Sequence, residues 1–208
     1  MRRVLLAAPW VALACGALLS NEARGTGGFL GTYAILTADD GKLTVDEVGS
    51  NTDLPNLDEL PKGLSKGFEE RYRDDPTLIG NMNLSPHFPD TAKIWLAAWE
   101  QKTGEKLDGA IAADVVALGD LVEASGQTVP LPNGTSLTGD QLADFAIVGI
   151  YEQFPTAAQT PERKAYQEAI ATAAVEAAAS AASPQAMAEG LGQGLADGRI
   201  VVWSADTE

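Results

Sequence analysis

The sequence predicts an α/β fold, a single layered domain with a mixed β-sheet flanked by helices. Three observations carry this. Runs rich in β-formers, such as FLGTYAIL and GRIVVWS, alternate with helical runs such as TAKIWLAAWEQK and AYQEAIATAAVEAAA, which is the pattern of α/β layering. Asp39-Asp40-Gly41 and Asn133-Gly134 supply turn signals of the hairpin type. Capping and stop residues bracket the helical runs. No internal repeat and no linker divides the chain, so residues 21–208 read as one domain behind a distinct segment, 1–20.

That first segment, MRRVLLAAPWVALACGALLS, sets two arginines before an apolar run. Two readings stand open. One is a leader for export, with Ala12-Leu13-Ala14 as a small-x-small cleavage site and Cys15 placed for lipoprotein processing. The other is a first buried strand that runs into the glycine-rich turn after it. A membrane span needs ~20 apolar residues, and this run is short for one.

The remaining elements follow in order. FLGTYAILTADDGKLTVDEVGS reads as two strands about the Asp-Gly turn. NTDLPNLDELPKGLSKG reads as a surface loop and FEERYRDD as one or two helical turns. A firmer helix follows, with Asp90 as its expected cap and Gly104 as its stop. Residues 109–113 read as a short buried strand, leading to a helix capped by Asp114 and closed by Gly126. Thr138 and Gln141 form a capping box that opens a helix to Phe154. Thr160-Pro161 and Ser183-Pro184 start two more helices, with proline at the first helical position. The run DGRIVVWS reads as a last strand.

Composition excludes several classes of function. Acids number 29 against 14 bases, for a net charge of −15. So acidic a surface repels nucleic acid, and any anionic ligand must be held locally by a few cations and backbone amides. One cysteine and one histidine exclude an internal disulfide, a CxxC metal site and a histidine cluster. The acidic pairs lack calcium-loop spacing and read as solvated faces.

Three features point towards anion chemistry. In NEARGTGGFLG the glycines do not make GxGxxG, and they precede a strand where nucleotide loops precede a helix. A tight turn is the plain reading. Arg24, beside Gly27 and Gly28, gives a second: a guanidinium next to open amides is a contact for an oxyanion or diphosphate. In GNMNLSPHFPD, Asn81 and Asn83 stand in a proline-rich loop before a helix, where amides line clefts as often as they make turns. His87 in the same run has no nucleophile motif near it. Arg163 and Lys164 open a helix, where cations oppose the macrodipole; an anion held there would resolve the conflict.

Several of these runs together, NEARGTGGFLGTYAILTADDGKLTV, NMNLSPHFPDTAKIWLAAWEQKTGEKLDGAIAADVVALGDLVEASG, LPNGTSLTGDQLADF and DGRIVVWSAD, resemble the bacterial DUF4012 family over roughly residues 20–208. The resemblance implies an extracytoplasmic, cell-envelope domain, membrane-associated through its N-terminus or secreted, in a family domain that continues beyond the last strand. A fainter similarity is to the LytR-CpsA-Psr phosphotransferases, which move glycopolymers from polyprenyl-diphosphate carriers to the cell wall. It implies a diphosphate clamped by Arg24 and Arg163, with magnesium, under this reading alone, held by an acid such as Asp53. The expectation is therefore an envelope domain that binds a polyprenyl phosphate or cell-wall glycopolymer through Arg24, Gly27, Gly28, Asn81, Asn83 and Arg163. A phosphotransferase and a purely structural or protein-binding module are the alternatives, and the question of catalysis is open.

Overall fold

The computed structural model describes residues 11–18, 30–39, 42–180 and 183–205. Its main sheet has five strands in the order β3-β2-β1-β4-β7. β1 (Val11–Leu18) lies at the centre, antiparallel to β2 (Thr32–Asp39) and parallel to β4 (Gly109–Asp114). β3 (Lys42–Ser50) extends the sheet on the β2 side and β7 (Ile200–Ser204) on the β4 side, both antiparallel. The sheet is thus mixed. Of the two readings of the N-terminus, the one with a strand describes residues 11–18. Residues 1–10 lie outside the described part. A strand in the middle of a sheet layered with helices need not alternate, so a continuous apolar run such as VALACGAL fits a strand as well as a leader.

Alternation along the strands feeds two cores. Tyr33 and Ile35 face one way, into a cluster with Phe88, Ile94, Trp95 and Trp99. Ala34 and Leu36 face the other way, towards Val122, Leu142, Ile150 and Ile170. The first core lies under α2 (Phe88–Thr103) and the loop before it, in which a short α-helix, α1 (Phe68–Tyr72), buries Phe68. The loop expected over residues 51–67 is anchored, because Leu54 and Leu57 are buried in this cluster.

The second core lies under α3 (Val115–Ser125), α4 (Gly139–Asp144), α5 (Ile150–Gln153) and α6 (Thr160–Ala179). A two-stranded hairpin, β5 (Val129–Pro130) with β6 (Ser136–Leu137), turns at Asn133-Gly134 as expected. Residues Phe145–Gly149 form a π-helical stretch, which splits the predicted single helix into α4 and α5. The alanines of α6 allow close packing: Ala171, Ala174, Ala177 and Ala178 are buried against α3 and the β2–β3 side of the sheet. α7 (Pro184–Ala196) packs on α3 and β7.

Most helix boundaries sit where their signals are. Asp114 caps α3 by accepting from the Ala117 amide at 2.8 Å, and Gly126 ends it at φ 72°. Thr138 and Gln141 make the capping box of α4, and Ser183 caps α7. Asp90 is the exception. α2 starts earlier, with His87 as its N-cap and a proline in its first turn. Proline pre-sets helical φ, so the helix begins at Phe88 and Asp90 falls inside the first turn. Its fully buried carboxylate turns to Ser65, accepting from the amide at 2.8 Å and the hydroxyl at 2.5 Å.

Candidate functional site

The topology singles out one edge of the sheet. β1 and β4 run parallel as neighbours, with Leu18 beside Asp114 at their carboxyl ends. From β1 the chain passes to β2 on one side; from β4 it passes through α3 and eventually to β7 on the other. Where successive connections diverge like this, the crevice beyond the carboxyl ends is the usual ligand position of an open α/β sheet.

Several expected residues gather along this edge. Residues 19–29, with Arg24, Gly27 and Gly28, lie outside the described residues, but both segments that bracket them end here. Leu18 pairs beside Asp114, and Thr32 opposite Ser50. The Gly31 carbonyl accepts from the Asn51 amide at 3.0 Å. Asn51–Asp53 is a 3-10 turn, and the turn Ile79–Asn81 packs against it. Asp53 and Asn81 therefore share this edge with the ends of the 19–29 segment.

The chemistry of each group differs. Asp53 is committed to local structure: its carboxylate accepts from the Ser50 amide at 2.9 Å and closes a capping box. Among the described residues, no three His, Cys, Asp or Glu side chains converge as a metal site. Asn83 is 1% exposed and acts as a polar anchor inside the first core, beside buried Met82. Asn81 is half-buried and nearer the surface.

Arg199 joins the edge unannounced. It precedes β7, and its Nη1 donates to Asp114 Oδ2 at 2.6 Å while its carbonyl accepts from the Asp114 amide at 3.2 Å. The Arg199 side chain is 41% exposed, so it presents the rest of its guanidinium to solvent at the N-terminus of α3. Nothing in the sequence separates it from the other arginines. Only the pairing of β7 with β4 brings it to Asp114.

Arg163 is elsewhere. It sits on α6, whose Tyr166 belongs to the second core, whereas Met82, between Asn81 and Asn83, belongs to the first. The sheet lies between them, so the fold does not bring Arg163 to the two asparagines. Its expected conflict with the macrodipole is answered locally. Arg163 Nη1 donates to the carbonyl of Phe154, the C-cap of α5, at 3.4 Å, and its guanidinium stacks 4.8 Å from the Tyr151 ring. A cation at a helix C-terminus is electrostatically favourable, so Arg163 serves α5 at the start of α6.

Two polar clusters flank α2. His87 Nδ1 lies 3.1 Å from Asp90 Oδ2, while Ser65 donates to the same carboxyl group. Serine and histidine both bind the acid, so histidine does not bridge serine and acid as it does in a nucleophilic triad. Burial, the largest single effect on Asp90, would raise its pKa; the two Ser65 hydrogen bonds and His87 together outweigh it and hold the carboxyl below its ordinary value. Further along α2, Lys102 Nζ donates to the Tyr33 hydroxyl at 2.7 Å and lies 3.3 Å from Glu47 Oε1, which accepts from Tyr33 at 2.7 Å. Burial opposes the Lys102 charge most, but Tyr33 and Glu47 outweigh it and raise its pKa. Burial also leads in raising Tyr33.

A groove of about 590 Å³ runs between Pro130–Pro132 and α6. Glu168 and Glu176 line it, which makes it a poor seat for an anion.

A family model described as "Protein of unknown function (DUF4012)" matches residues 16–151. No curated protein and no solved structure matches the chain. The matched span includes Arg24, Asp53, Asn81 and Asp114; Arg163 and Arg199 follow it.

Proposed function

Because the chain belongs to the DUF4012 family, whose function is unknown, we propose a reading from its own geometry: a non-catalytic cell-envelope domain that binds a phosphate group of a carrier lipid or cell-wall polymer. The binding edge is the carboxyl end of β1 and β4. One observation carries the reading. The connections from the two paired strands lead to opposite sides there, and the described residues on either side of the Arg24 segment, Leu18 and Leu30, lie at the same edge.

Three physical points support it. The edge has the N-terminus of α3, where the helix dipole favours negative charge. Arg199 adds a half-exposed guanidinium, although Asp114 balances its charge. Arg24 then supplies the net positive charge that an anion requires in a chain of net charge −15. Asp53, exposed and engaged as a cap on the Ser50 amide, gives no support to metal-assisted transfer, so binding is preferred to catalysis.

The test is thermal stabilisation by a short-chain polyprenyl diphosphate, with and without magnesium. The expected result is an upward shift in Tm that needs no magnesium and disappears in Arg24→Ala. An absent shift, or one that Arg24→Ala leaves intact, contradicts the reading. A shift that requires magnesium favours the phosphotransferase alternative.

A further inference from the structure

The groove between Pro130–Pro132 and α6 has a lining of one chemical kind: it accepts hydrogen bonds and has no free donor. Pro130 and Pro132 have no amide hydrogen, and the Leu131 amide already donates to the Thr135 carbonyl at 2.8 Å. On the facing wall Ala165, Ala169 and Ala173 recur at every fourth residue with no polar side-chain atom, and the amides of α6 there are used within the helix. The Thr172 hydroxyl donates to the Glu168 carbonyl at 2.9 Å, which leaves its oxygen as an acceptor.

Three acceptors follow one line beside the alanines. Glu168, Thr172 and Glu176 are also spaced by four residues, so they stand on one side of α6, each step about 6 Å and the whole row about 12 Å along the axis. Both glutamates are exposed. Among the described residues, neither carboxylate has a cation or a hydrogen-bond donor as partner.

We propose that this groove binds a linear triamine of the spermidine class, at a site separate from the anion-binding edge and independent of it. Ammonium groups donate hydrogen bonds and accept none, which is what an acceptor-only lining requires. Peptides and anions fail the same condition, because their carbonyl or phosphate oxygens find no free donor here. In spermidine three and four methylenes separate the nitrogens; at ~1.2 Å per bond of an extended chain, neighbouring nitrogens stand roughly 5 and 6 Å apart and the ends roughly 11 Å apart. The terminal ammonium groups then meet Glu168 and Glu176, and the middle one meets the Thr172 oxygen. The methylenes lie between the alanines and the proline wall, where apolar surface leaves water on both sides. The net charge of −15 attracts any cation. That general attraction has no preference for spacing, whereas the row of acceptors does.

The experiment is isothermal titration calorimetry of the chain with spermidine at low ionic strength, with the terminal diamines of octane and butane as comparison ligands. Saturable binding of one spermidine per chain is expected. The octane diamine keeps the end-to-end span without the middle nitrogen and should bind more weakly. The butane diamine is too short to join the two glutamates and should bind more weakly still. Glu168→Gln and Glu176→Gln are each expected to lower spermidine affinity about fivefold, and the double variant on the order of 20-fold. Glu105→Gln, which removes one exposed charge just after α2, should leave the affinity unchanged. Spermidine that binds no better than the butane diamine, an equal loss in Glu105→Gln, or an affinity unmoved in the double variant overturns the proposal, because each is the mark of diffuse counterion binding. Absence of saturable binding overturns it as well.

Discussion

Arg199 Nη1 lies 2.6 Å from Asp114 Oδ2, so the residue before the last strand is tied to the N-cap of α3 at the carboxyl edge of the sheet. Both side chains are partly exposed, and such pairs contribute little. Arg199→Ala is expected to cost roughly 0.5–1 kcal/mol of stability, because Asp114 keeps its cap on Ala117. Under the proposed function it should also weaken diphosphate binding. A large loss of stability with unchanged binding would deny Arg199 a place at the site. Chemical denaturation and ligand titration of the same variant measure the two effects.

Asp90 gives a prediction about acid. Its carboxyl pKa is held below the usual value, so the carboxylate contributes stability above the unfolded value of about 3.9. That contribution is lost as pH falls through the lower, folded value. Asp90→Asn should therefore flatten the acid limb of the stability profile. Asp90→Ala leaves the Ser65 amide and hydroxyl without their acceptor, at an expected cost of about 2–4 kcal/mol. Urea denaturation across pH 3 to 7 tests both, and an acid limb unchanged in Asp90→Asn would contradict the assignment.

The cluster of Tyr33, Glu47 and Lys102 acts at the other end of the pH scale. Lys102 and Tyr33 both have raised values. Their contribution is complete below the unfolded values, near 10, and is lost as pH rises through the folded ones. Lys102→Met should remove part of the alkaline dependence. Denaturation midpoints measured from neutral to alkaline pH supply the check.

Gly49 is held to glycine by the same cluster. A Cβ built there would stand 2.5 Å from the Tyr33 ring, which crosses it. Gly49→Ala must push the ring off Trp99, its edge-on neighbour at 5.8 Å, and off Lys102. Overpacking of this kind costs roughly 1–3 kcal/mol. A Tm within error of wild type would show that the ring moves freely.

Tyr166 reverses the usual sign. Its hydroxyl is buried with no hydrogen-bond partner among the described residues, near the rings of Phe145 and Phe154. Removing an unpaired buried hydroxyl relieves a desolvation cost of about 1–3 kcal/mol, partly offset by lost contact. Tyr166→Phe is expected to be neutral or stabilising in a thermal melt; a clear destabilisation would mean that the hydroxyl has a partner after all.

Local signals made much of the fold legible. Asp114, Gly126, Thr138 and Ser183 each fix a boundary through one or two hydrogen bonds within their own segment, so residue order alone reveals them. Asp90 misled because its partner, Ser65, is twenty-five residues away. The apolar run of β1 left the leader and strand readings both open, because a strand in the middle of a layered sheet need not alternate. The π-helical stretch after Asp144 had no breaker to announce it. The candidate site was legible only in part. Arg24 was singled out from its glycine turn and Asp53 from the fainter phosphotransferase resemblance, whereas Arg199 needs the β4–β7 pairing to reach Asp114, and no local pattern encodes that. Arg163 stood out for opposing one helix dipole, but the helix it serves is the preceding one.

The central claim concerns place: an anion bound at the carboxyl ends of β1 and β4, where the connections from the two strands part. A ¹⁵N-resolved NMR titration with inorganic pyrophosphate locates the binding directly. The account predicts saturable shifts at Leu18, Leu30, Gly31, Asp114 and Arg199, absent from Arg24→Ala. Shifts confined to the start of α6 around Arg163, or no saturable shift at all, would contradict it.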